Sequence, residues 1–140
     1  MELGTFGAIL KFAMKLEQEA TSFYESVSKI VRNQNLAGRL QDLQKRGGKR
    51  LNTLERVRRE NVTEMILEPI IGLDSENYIL QTEISSSGTE KDIQELAVAI
   101  EKKLLEFYTQ AGAKIDFLIE AAYSFELLAE ANQTAINHLS

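Results

Sequence analysis

Two glutamates stand where apolar residues are expected. In the first helical stretch Phe6, Leu10, Ala13, Glu17, Ala20, Tyr24, Val27 and Val31 recur at alternating steps of four and three. Ala97, Glu101, Leu104, Tyr108 and Ala111 repeat the pattern further on. That period marks one face of a helix in a bundle, so Glu17 and Glu101 belong to the inward side. An inward carboxylate must be ligated to a metal, paired with a cation or protonated, because an unpaired buried charge is costly. Each glutamate is followed seven residues later by a tyrosine, Tyr24 or Tyr108, two turns along the same face. These tyrosines read as core residues whose hydroxyls satisfy a buried carboxylate.

The stretch "QKRGGKRLNTL", residues 44 to 54, adds a cation to that interior. Its stripe reads Leu36, Leu40, Leu43, Gly47, Arg50, Leu54, Val57, so Gly47 and Arg50 both face inward. A Gly-Gly pair costs about 2 kcal/mol of helix propensity, at about 1 each, which implies compensation by local packing. One reading has the Arg50 guanidinium bridging Glu17 and Glu101, with Gly47 leaving room for the long side chain or a small anion. A second makes Gly47–Gly48 a kink, with Arg50 reaching solvent and the glutamates paired elsewhere or holding water. A third keeps a metal on Glu17 and Glu101, helped by Asn132 and water.

Four helices must position these groups, at about residues 5–32, 36–61, 89–112 and 115–138. Asn35 in "RNQN" is the expected N-cap of the second, and Thr89 with Asp92 has capping-box spacing before the third. Gly112 is the expected stop of the third. The fourth runs Leu118, Ala121, Phe125, Leu128, Asn132, Ala135, Leu139. Helices of about 25 residues span about 38 Å. Short turns make two antiparallel hairpins, and residues 62–88 are long enough to cross the length of the bundle between them. The hairpins repeat one another. "FAMKLEQEATSFY" (12–24) aligns without gaps with "LAVAIEKKLLEFY" (96–108), and Leu43, Gly47, Arg50 and Leu54 align with Leu128, Asn132, Ala135 and Leu139. The expectation is one all-α domain over residues 1–140, a four-helix bundle of two like hairpins.

"LKFAMKLEQEATSFYE" and "LAVAIEKKLLEFY", with the hairpin pairing and the central crossover, resemble the ferritin-like superfamily and its rubrerythrin branch. The resemblance implies one inward glutamate on the first helix of each hairpin and Glu-x-x-His on the second, together holding two irons. Glu17 and Glu101 match the first-helix glutamates, and the resemblance implies that Tyr24 and Tyr108 lie near the metal centre, as redox neighbours where metal is present. The second-helix motifs fall on Gly47 with Arg50 and on Asn132 with Ala135, so Glu and His are missing at both places. The only histidine, His138, lies three residues beyond Ala135. The implied di-iron site is therefore degenerate, and Glu17 and Glu101 are its vestigial metal ligands. No cofactor is expected from the residues left, with iron as the cofactor if the third reading holds. The resemblance then implies a non-catalytic binding or structural module, or else a residual iron-binding protein or oxidoreductase.

The remaining composition narrows the classes. The 140-residue chain has no cysteine, which removes disulfides, thiolate metal sites and thiol catalysis. Met1, Met14 and Met65 have no metal-binding spacing, and no nucleotide or triad motif is present. No apolar run is long enough for a membrane span and no export signal is evident, so a cytoplasmic protein is expected. Residues 37–60 hold eight basic side chains against three acids in a chain of net charge −5. That balance argues against nucleic acid and makes the basic second helix chiefly a solvated face. A homodimer or another protein partner is expected, with the crossover and the second helix as candidate contacts.

Overall fold

The computed structural model describes residues 1–64, 69–85 and 88–140. The portions of the expected crossover at 65–68 and 86–87, and Met65 with them, lie outside the described residues. Four α-helices are described: α1 (Phe6–Ser28), α2 (Gln34–Glu60), α3 (Glu90–Lys114) and α4 (Ile119–Leu139). Two 3-10 turns, Val62–Glu64 and Ser75–Tyr78, lie between α2 and α3, and the described residues contain no strand. None of the described helices is long and apolar enough to cross a membrane.

Side-chain caps set where three of the four helices begin. The Thr5 hydroxyl accepts from the Ala8 N–H at 3.1 Å and starts α1. α1 ends at Ser28, short of residue 32, so Ile30 falls outside it and is 64% exposed. Asn33, not Asn35, caps α2, its side-chain oxygen taking the Leu36 N–H at 3.0 Å. The reason is tertiary. Glu90 accepts both the Arg32 and Asn33 N–H groups at 2.9 Å, anchoring the turn there. The Thr89–Asp92 capping box is present at α3. Gly112 does not end α3, which continues to Lys114; a Cβ there would lie 3.5 Å from that of Phe125, so the glycine sits at the α3–α4 contact. Residues 115–118 form the turn, and α4 starts only at Ile119.

Helix α2 runs unbroken through Gly47–Gly48, contrary to a kink. A Cβ on Gly47 would lie 2.0 Å from Thr21 Oγ1 and 3.1 Å from Thr21 Cβ, whereas one on Gly48 would meet nothing within 4 Å. Gly47 thus admits the close approach of α1 to α2, rather than making room for Arg50. Gly48→Ala should raise stability by about 0.5–1 kcal/mol through helix propensity. Gly47→Ala should lower it by up to about 2 kcal/mol, because overpacking of about 1–3 outweighs the same gain. Urea midpoints of the two variants check this, and a Gly47→Ala midpoint at or above that of Gly48→Ala would contradict the close contact.

α1 packs on α2 and α3 on α4, giving two antiparallel hairpins that meet face to face. The described residues 69–85 of the connection between them run along the bundle. At one end residues 70–75 lie beside the chain start, through Ile70 N–H to Gly4 O (2.9 Å), Leu3 N–H to Leu73 O (2.8 Å) and Ser75 N–H to Met1 O (2.9 Å). Tyr78 then packs against Phe107 of α3, with ring centroids 5.4 Å apart. Thr82 and Ile84 border α1 at Phe23 and Val27, and Ile30 just beyond it. At the far end Glu90 meets the α1–α2 turn. α3 therefore starts where α1 ends, and the two run in opposite directions. Phe107 is the hub of the apolar core, edge-on to Phe12 and Tyr108 at 5.4 Å.

Candidate functional site

The opposed directions of α1 and α3 decide what the tyrosines do. Each reaches the glutamate of the other hairpin: Tyr24 donates to Glu101 at 2.5 Å, and Tyr108 donates to Glu17 at 2.5 Å. Both hydroxyls are buried, as are both carboxylates, at 1% exposure for Glu17 and 0% for Glu101. This crossed pair of bonds ties one hairpin to the other in the middle of the bundle.

Helix α2 supplies the opposite charge twice. Arg50, 3% exposed, donates through one terminal nitrogen to Glu17 at 2.9 Å and to the Asn132 side-chain oxygen at 3.3 Å. Its other terminal nitrogen donates to the Leu128 carbonyl at 2.9 Å. The guanidinium also lies 5.7 Å from the centre of the Tyr108 ring. Arg46 forms a fork with Glu101, two parallel bonds of 2.7 Å from its two terminal nitrogens. Asn132 joins the pairs, donating to Glu101 at 2.8 Å while it accepts from Arg50. The result is a connected set of two carboxylates, two guanidiniums, two phenols and one amide, without net charge.

Arg50 therefore does not bridge the two acids. It holds Glu17, and Glu101 is held by Arg46, one turn earlier on the same helix. Neither does Arg50 reach solvent. Arg46 was outside the expected stripe because it stands at its edge, beside Gly47, with its side chain still 18% exposed. A charge count was the available signal: two inward carboxylates need two cations, and the stripe holds one. Ala135 is buried beside Asn132 but has no polar side chain, and His138 is exposed on the last turn of α4.

Electrostatics follow from this geometry. Burial pushes the Glu101 carboxyl up, but the Arg46 bonds and charge, then the Tyr24 bond, more than offset it and hold it below the usual value of 4.5. Burial and then Glu101 push the Tyr24 hydroxyl well above the ordinary phenol range, and burial and then Glu17 do the same to Tyr108. Burial lowers the Arg46 guanidinium, but its bonds to Glu101 leave it raised, so it stays charged. The tyrosines stay protonated donors, and Glu101 stays an acceptor. Among the described buried side-chain nitrogens and oxygens only Arg46 Nε lacks a partner. Arg46 borders a cavity of about 200 Å³ between α2 and α4, shared with Arg39, Asp42 and His138.

The residues present do not fit two metal ions. Both carboxylates already accept from guanidinium and phenol donors, and the second-helix positions carry a cation and an amide. No group of three or more His, Asp or Glu side chains among the described residues has the arrangement of a metal site. Fixed cations within hydrogen-bond distance of both acids also oppose a further positive charge. Compared with protein-family models, curated proteins and solved structures, the chain matches none.

Proposed function

We propose that this chain is a ferritin-like bundle of the rubrerythrin kind in which a neutral arginine–glutamate–tyrosine network stands where the resemblance places two irons. On that reading it is a cytoplasmic, non-catalytic binding or structural module that works as a homodimer or with another protein. Glu17 and Glu101 are then vestigial ligands turned into the central tie between hairpins. The observation that carries the proposal is the engagement of both glutamates by arginines at 2.7–2.9 Å. The pairing of hairpins and the lengthwise connection support the ferritin-like part. A buried polar network in which both carboxylates are paired also favours one hairpin register over its alternatives, a role that suits a scaffold.

Elemental analysis of protein purified from iron-replete cells, with a ferrous-oxidation assay, tests the reading. The expected result is iron well below one per chain and oxidation no faster than in buffer. About two irons per chain with turnover would instead establish the oxidoreductase that the resemblance otherwise implies.

A further inference from the structure

We infer that the outer groove between α3 and α4 is a docking site for a basic amphipathic helix of another protein, which rests on the binding-module reading above and names its surface. The groove has a volume of about 730 Å³. It is bordered by α4 residues from Ile119 to Gln133, a run that at 1.5 Å per residue is roughly 21 Å long, or about four helical turns. Small residues deepen it: Gly112 and Ala113 on one side, Ala122 and Ala129 on the other.

Helix α4 is apolar on two sides. Its inner face buries Ala121, Phe125, Leu128 and Leu139. Its outer face leaves Ile119 at 79%, Tyr123 at 58% and Leu127 at 45% exposure, spaced four residues apart. An exposed apolar row on the side of a helix opposite its buried face is a surface suited to cover by a second one. An i, i+4, i+8 row beside a groove is the shape that receives anchors from an incoming helix.

The charges choose the occupant. Asp116, Glu126 and Glu130 line the groove, no Lys, Arg or His does, and none of the three acids has an ion pair among the described residues. A second copy related by a two-fold axis would set this acidic rim against itself. The exposed side of α2 is basic, but Lys45, Lys49, Asn52, Arg56 and Arg59 offer no apolar anchor to fill the floor. Nucleic acid and anionic lipid surfaces are repelled by the same rim. A helix with apolar anchors at i, i+3, i+4 and i+7 and lysine or arginine on its flanks meets both requirements.

The test is fluorescence anisotropy of the full chain with a labelled 15-residue helix of leucine anchors and lysine flanks, against the same helix with glutamate flanks. The lysine peptide should bind saturably, and the glutamate peptide should not. Affinity should fall about tenfold or more in the Glu126→Lys/Glu130→Lys variant and with rising salt. It should also fall in Ala113→Leu, which fills the groove from an exposed position without touching the core. Absence of saturable binding, or equal affinity for the variants, would overturn the inference. So would a dimer in sedimentation velocity that Tyr123→Glu dissociates, since the occupant would then be a second copy. Iron analysis is unaffected by these outcomes, so the groove and the metal-free reading fail separately.

Discussion

Arg50→Met is expected to lower stability by about 3–5 kcal/mol, the cost of stranding a buried carboxylate without its cation. Glu17 is 1% exposed and would keep only Tyr108 as a bonded neighbour of known geometry. The Asn132 side-chain oxygen would lose its arginine donor, and the Leu128 carbonyl would keep only its helical partner. A loss of that size is a large share of the 5–15 kcal/mol typical of a folded domain, so the variant should lie near its unfolding midpoint under mild denaturant. The paired change Glu17→Gln/Arg50→Met should recover part of the loss, because the amide can still accept from Tyr108 and no unpaired charge remains buried. A double-mutant cycle should return a coupling near the upper end of the usual 0.5–3 kcal/mol. A single-variant cost below about 1 kcal/mol, as for exposed pairs, would contradict a buried bond.

Arg46→Met should cost about 3 kcal/mol, the low end of that range, since Tyr24 and Asn132 still donate to Glu101. Its pH dependence is more telling than its size. In the native chain the Glu101 carboxyl is held below its usual value, so its contribution is present above pH 4.5 and is lost as pH falls through the depressed value. Without Arg46 the largest remaining influence is burial, which raises the carboxyl. The folded variant then binds a proton more readily than the unfolded chain. Its deficit relative to the native chain should shrink as pH falls from 7 towards 5. Urea titrations at both pH values check the sign, and a deficit that grows on acidification would contradict the assigned pairing.

The period of apolar residues was enough to place Glu17, Glu101, Arg50, Gly47 and Asn132 on inward faces, and they are all buried. It was also enough for the four helices and the two hairpins. Three things lay beyond it. Arg46 sits at the edge of its stripe, and a long side chain reaches inward from a position that periodicity assigns to solvent. The crossed tyrosine bonds depend on α1 and α3 running in opposite directions, which no local pattern encodes. Gly47 answers to Thr21 on another helix, a contact at a separation that only packing reveals. Helix ends failed for the same reason. Asn33 outcompetes Asn35 as a cap because Glu90, far along the chain, fixes the turn.

The basic surplus of residues 37–60 also changes meaning. Two of its arginines, Arg46 and Arg50, turn inward and neutralise the interior acids. Others make loose pairs along their own helix, Arg56 with Glu60 at 3.8 Å and Arg58 with Glu55 at 3.7 Å, both largely exposed and each worth little.

Crystals grown with ferrous iron and measured at the iron absorption edge address the centre of the bundle directly. Guanidinium density from Arg46 and Arg50 against the two glutamates, with no anomalous peak between them, is the expected result. An anomalous peak shared by Glu17 and Glu101, with the arginines displaced, would contradict the replacement of metal by protein cations.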